Sequence, residues 1–220
     1  MVSSGDREYI ETKAIKKGQK QIQRPFSELA EWIKTNYGVR PLNIIYDVLG
    51  PSYQPRLQII FEHYTDNINF KASNGLFPNA TRQESVQNAF REIIKNNSDY
   101  IADNLYVIFS SFESIAKEES NSKIKQEQLD ALRDELKPYG IWEIRRNFYT
   151  GIFFFNSDEQ LRLNDNLETK NRFQREYFKL IKSCDEFGYL EESSFSIMLD
   201  SKENFEKNYQ GNWFYYFKDH

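Results

Sequence analysis

Few side chains in this 220-residue chain have the type and spacing that catalysis asks for. A zinc hydrolase commonly sets two histidines one turn apart on a helix, but His63 and His220 stand far apart and form no such pair. Cys184 is the single cysteine, with no partner for an internal disulfide and no neighbouring histidine to activate it. Helical spacing from Tyr177 and Ile181 makes it a packing residue instead. Ser110 and Ser111 lack the Gly-x-Ser-x-Gly turn that lifts a nucleophilic serine, and no Gly-x-Gly-x-x-Gly or phosphate-loop lysine motif announces a nucleotide. The carboxylates of Asp47, Glu62 and Asp66 could meet at the end of a hairpin and hold magnesium, yet an Asp47–Arg56 ion pair explains the same residues more simply. The expectation is no catalytic residue, no metal and no cofactor. An enzyme built on Asp47 and Glu62 is one alternative.

Binding asks for less specialised chemistry. Three acidic pairs, Glu118/Glu119, Asp158/Glu159 and Glu191/Glu192, each stand beside an ordered element, and Tyr189, Trp213 and Tyr215 could add desolvated anchoring area. Carboxylates of this kind speed encounter with a basic partner and penalise an acidic one. These nine residues are the candidate partner-binding set of a non-enzymatic protein-binding module, of the kind an inhibitor or immunity protein uses to neutralise a basic protein. A structural homodimer module is a further alternative. So is a weak nucleic-acid-associated protein that uses the basic run Lys13, Lys16, Lys17, Lys20 and Arg24, although 33 acidic against 29 basic side chains, a net charge of −4, oppose capture of nucleic acid. No basic and apolar leader opens the chain, and no run reaches the roughly 18 to 20 apolar residues of a membrane span, so a cytoplasmic protein with no membrane contact is expected.

The elements that would position these residues form an α/β, α+β-like chain of mainly antiparallel sheet regions covered by helices. Residues 1–24 lack a sustained apolar face and read as a flexible extension. A helix from Pro25 carries Phe26, Leu29 or Ala30, Ile33 and Tyr37 on one face, stops at Gly38, and leads into strands over 42–49 and 56–64. After a loop over 65–79, Thr81 and Glu84 have capping-box spacing ahead of a stripe of Val86, Phe90, Ile93 and Ile94. An apolar strand over 105–109 and a short helix from Ser110 complete the series, with one longer helix over 98–119 as the alternative. A second helix ends in Tyr139-Gly140-Ile141, and a similar order follows: strands over 141–148 and 151–155, a loop to Asp165, a helix over 168–184, a strand through Phe195, Ile197 and Leu199, and a short helix to Tyr209. A strand over 212–217 closes the chain. The order suggests two divergent copies of an α-β-β-α-β-α unit, divided into residues 25–121 and 122–220, with one continuous domain as the alternative. A chain of this length buries roughly 70% of its unfolded surface and needs neither disulfide nor metal.

Overall fold

In the computed structural model, residues 3–50, 53–75 and 77–219 are described. The chain divides into two units, residues 1–115 and 116–220. The first carries α1 (Arg7–Lys16), α2 (Phe26–Tyr37), β1 (Asn43–Leu49), β2 (Gln54–Phe61), α3 (Tyr64–Ile68), α4 (Ala80–Ile94) and β3 (Tyr106–Ser111), and the division falls within α5 (Phe112–Ser122). The second carries α6 (Gln126–Leu136), β4 (Ile141–Asn147), β5 (Thr150–Phe155), α7 (Asp158–Asn164), α8 (Leu167–Ser183), β6 (Met198–Ser201), α9 (Lys202–Tyr209) and α10 (Trp213–Asp219). Among the described residues no helix is long and apolar enough to cross a membrane.

Each unit is an α/β fold around a three-stranded sheet, in the orders β1-β2-β3 and β4-β5-β6. The first two strands of each sheet pair antiparallel through a hairpin. The third pairs parallel to the second, which requires a crossover, and α3 with α4 or α7 with α8 supplies it. Register is shared: Phe61 pairs with Ser111 in one sheet, and Phe155 with Ser201 in the other. Both hairpins are entered through a Tyr-Gly turn because the chain must leave a helix and enter an extended strand. Gly38 and Gly140 adopt the left-handed region there, at φ 75° and 85°.

The long helices match as well. Asn79 caps α4 by accepting from Arg82 N at 3.1 Å, and Asn166 caps α8 by accepting from Thr169 N at 3.0 Å. Counted from those caps, Val86 corresponds to Phe173, Phe90 to Tyr177 and Ile94 to Ile181, and all six are buried against their own sheets. This agreement of order, pairing, register and core position is consistent with internal duplication.

Several details depart from the sequence expectation. The α4 cap is Asn79, not Thr81, and α3 and α7 occupy stretches read as loops. Within residues 1–24 the chain forms α1, which buries Tyr9 and Thr12. Asn43 Nδ2 donates to Thr12 Oγ1 at 3.0 Å, and Tyr9 stacks on Phe112 at 5.2 Å, so α1 covers the face of the first sheet opposite α2 and α4. The strand expected over 212–217 is the helix α10. Its Trp213, Tyr216 and Phe217 pack with Phe205 of α9 on Ile152 and Phe154, the face of the second sheet opposite α8.

Candidate functional site

The strand β6 ends in a polar pair that organises one end of the second unit. Asp200 is 9% exposed and accepts from Tyr216 Oη at 2.6 Å, from Asn204 Nδ2 at 2.9 and 3.0 Å, and from the Ser201 amide at 2.7 Å. Every strong acceptor direction of the carboxylate is therefore used inside the protein, as burial of a charge demands. Burial and the neighbouring Asp200 carboxylate together push the Tyr216 phenol well above its ordinary pKa. Ser201 Oγ then caps α9, accepting from Asn204 N at 2.9 Å, and donates to the Asp158 carboxylate.

Those bonds set exposed carboxylates side by side. Glu203, on the first turn of α9, accepts from the Asp158 amide at 2.9 Å, so the starts of α7 and α9 are tied together. Asp158, Glu159 and Glu203 are all solvent-exposed. One turn along α7 from Glu159, on the same face, Leu163 is 72% exposed, and Leu167 at the start of α8 is 79% exposed. The first unit repeats the tie: Glu113 accepts from the Tyr64 amide at 3.0 Å at the start of α3.

The remaining sequence candidates fall elsewhere in the second unit. Glu118 and Glu119 lie half-buried on α5, and Glu119 pairs with Lys123 at 3.2 Å. Tyr189, Glu191 and Glu192 belong to the segment returning from α8 to β6. Asp185 organises that segment by accepting from the Tyr189 and Leu190 amides at 3.2 and 2.9 Å. Burial works against the Asp185 carboxylate, but the Lys182 ammonium at 2.8 Å and these amides outweigh it and hold its pKa below the ordinary carboxylate value. Glu191 and Glu192 point to solvent, whereas the Tyr189 ring stacks near Phe187 at 5.9 Å. Trp213 is a packing residue: it lies 4.0 Å from the Phe205 ring, with the Arg145 guanidinium 4.6 Å above it. Tyr215 is 51% exposed beside Phe214 at 73%, so the helix turns these two outward.

Burial pushes the Glu118 carboxyl above the ordinary carboxylate range. A raised acid pKa penalises the folded state above that pKa, and the penalty fades as pH falls through it towards the unfolded value. Glu118→Gln is therefore expected to raise the melting temperature at about pH 7 and to leave it unchanged near about pH 3, below an ordinary glutamate pKa. A loss of stability at the higher pH would show instead that a partner holds the carboxylate.

Asp47, Glu62 and Asp66, weighed from the sequence as a magnesium site, are not placed together to hold a metal ion. Asp47 receives both Arg56 Nε, at 2.8 Å, and Arg56 Nη2, and accepts from Gln58 Nε2 at 3.0 Å. Glu62 pairs with Lys16 at 2.5 Å, and His63 lies 3.5 Å from both Glu62 and Glu113. Among the described residues, no group of three or more His, Cys, Asp or Glu side chains is placed to hold a metal ion. Comparison with protein-family models, curated proteins and solved structures returns no match.

Proposed function

We propose that the protein acts by stoichiometric binding of a basic protein partner, in the manner of an inhibitor or immunity protein. The supporting observation is the set Asp158, Glu159 and Glu203, gathered from two helices beside exposed Leu163 and Leu167. Fixed like charges steer a basic partner towards the surface, and the leucines supply apolar area that association removes from water. Against nucleic acid as a partner stand the net charge of −4 and the pairing of Lys16 with Glu62. We place this activity in the cytoplasm, where a lone thiol such as Cys184 stays reduced.

Affinity capture from the native cell followed by calorimetry tests the reading. A saturable complex of fixed stoichiometry is expected. Glu159→Lys should slow its formation at low salt, and Leu163→Ala should speed its dissociation. If reversing Glu191 and Glu192 slows association while Glu159→Lys does not, the interface belongs to the α8–β6 segment. Capture of no protein, together with small-molecule turnover by the purified chain, would overturn binding altogether.

A further inference from the structure

The first sheet has two edges, and they are treated differently. At β3, the side-chain amides of Gln83 and Gln87 on α4 donate to the Val107 and Leu105 carbonyls at 2.6 and 2.7 Å, covering an edge that could otherwise recruit another strand. At β1 the opposite edge borders a groove of about 320 Å³. Five consecutive strand residues, Asn43 to Asp47, line it.

The backbone of β1 presents hydrogen-bonding groups to that groove. Val48 pairs with Pro55, which has no N–H and cannot exchange both ladder bonds, and the Ile60 carbonyl faces β1, where it accepts from Leu42 N at 2.8 Å, so Asn43–Ile60 belongs to the bonded set and Val48–Pro55 to the non-bonded one. Antiparallel pairs alternate, and Tyr46–Leu57 and Ile44–Ile59 share the same character. The N–H and C=O groups of Ile44 and Tyr46 therefore point away from β2. Asn43 Oδ1 accepts the Ile44 N–H at 2.9 Å. Among the described residues, no side chain covers the Tyr46 N–H and C=O in this way.

The groove walls differ in chemistry. On the Asn43 side stands α1, with Glu8 and Glu11 alongside Arg7, and Lys20 reaches Glu11 only at 3.7 Å from an exposed position. On the other side stand Ile22 and Phe26, which pack against the Ile44 and Phe90 core. Successive side chains of a strand point to opposite faces, so an incoming strand would show alternate residues to the acidic and to the apolar wall. We infer that β1 accepts an extended segment of a protein partner as a fourth strand, one that alternates basic and apolar residues. This is a docking mode separate from the α7–α9 surface.

The probe is a seven-residue peptide alternating lysine and valine, titrated into the full chain, with a glutamate–valine peptide as control. Saturable 1:1 binding of the lysine peptide alone is expected, with slowed amide hydrogen exchange at Tyr46. Reversing Glu8 and Glu11 to lysine should weaken binding about tenfold, two exposed charge pairs being lost. Glu159→Lys should leave it unchanged, which separates this test from that of the α7–α9 surface. Equal affinity for both peptides, binding without protection at Tyr46, or indifference to the Glu8/Glu11 reversal would each overturn the inference. So would protection of Tyr46 in a peptide-free dimer, since the occupant would then be a second copy of this chain.

Discussion

Replacing Gly151 by alanine is expected to destabilise the second unit by about 3 kcal/mol, the upper part of the range for overpacked cores. The sign is informative because the same substitution usually helps. Alanine in place of glycine within a strand ordinarily gains about 0.4 to 1 kcal/mol by restricting the unfolded chain. Gly151 does not occupy the left-handed region, so its backbone raises no objection. The objection is Tyr177, whose Cε2 would lie 2.5 Å from the new Cβ and whose Cζ would lie 2.7 Å away. That ring cannot swing aside easily. It is fully buried, with Phe153 at 5.8 Å and Phe195 at 6.2 Å, and its hydroxyl donates to Asn121 Oδ1 at 2.7 Å. Asn121 Nδ2 in turn donates to the Phe148 and Thr150 carbonyls, tying the ring to the β4–β5 hairpin.

The other unit shows the alternative solution at the same place. Leu57 stands where Gly151 does, across from Tyr46 in the first hairpin as Gly151 stands across from Arg146 in the second, and Phe90 replaces Tyr177. One unit fills the site from the strand and the helix together, the other almost wholly from the helix. A double-mutant cycle reads this directly. Tyr177→Leu should be costly alone, because it opens space and leaves Asn121 short of a donor, yet Gly151→Ala/Tyr177→Leu should lose less than the sum of the single changes. A coupling of about 0.5 to 3 kcal/mol is expected for residues in contact. Additive losses in chemical denaturation, or a stabilising Gly151→Ala, would refute the packing account.

What the sequence displayed and what it hid follow from the same physics. The Tyr-Gly turns, the stripes of α4 and α8 and the alternating strands are local patterns, each visible within a few residues. The helix α10 was hidden because Trp213-Phe214-Tyr215-Tyr216-Phe217 has the aromatic composition of a strand. Packing overrode that preference: Trp213, Tyr216 and Phe217 follow the three- and four-residue spacing of a helix face and cover Phe154. The acidic surface was half legible. Asp158 and Glu159 stand out as neighbours, whereas Glu203 joins them from 45 residues along the chain, through a register that only the folded sheet provides. Glu118 shows the opposite failure, since its charge is plain in the sequence and its burial is not.

The helix α1 was the least legible element, and removing its anchor should have the second large effect. Tyr9→Ala is expected to cost about 3 to 5 kcal/mol, as loss of a buried aromatic does, while Ile10→Ala one residue later should stay within about 0.5 kcal/mol. Apolar character misleads here. Ile10 is 59% exposed, whereas Tyr9 is 1% exposed and stacks on Phe112. The buried face of α1 consists of a tyrosine and a threonine, so no stripe of aliphatic residues marks it in the sequence. Its necessity comes from the sheet beneath. Ile60 lies opposite Asn43 on β1, on the face away from α2 and α4, and it is 1% exposed. Removing residues 1–17 would return Ile60 and Phe112 to water and leave the Asn43 amide without Thr12, so the truncated chain should unfold at clearly lower denaturant than the full chain. An unchanged midpoint would mean that the first sheet is stable with that face bare, and that α1 is an appendage after all.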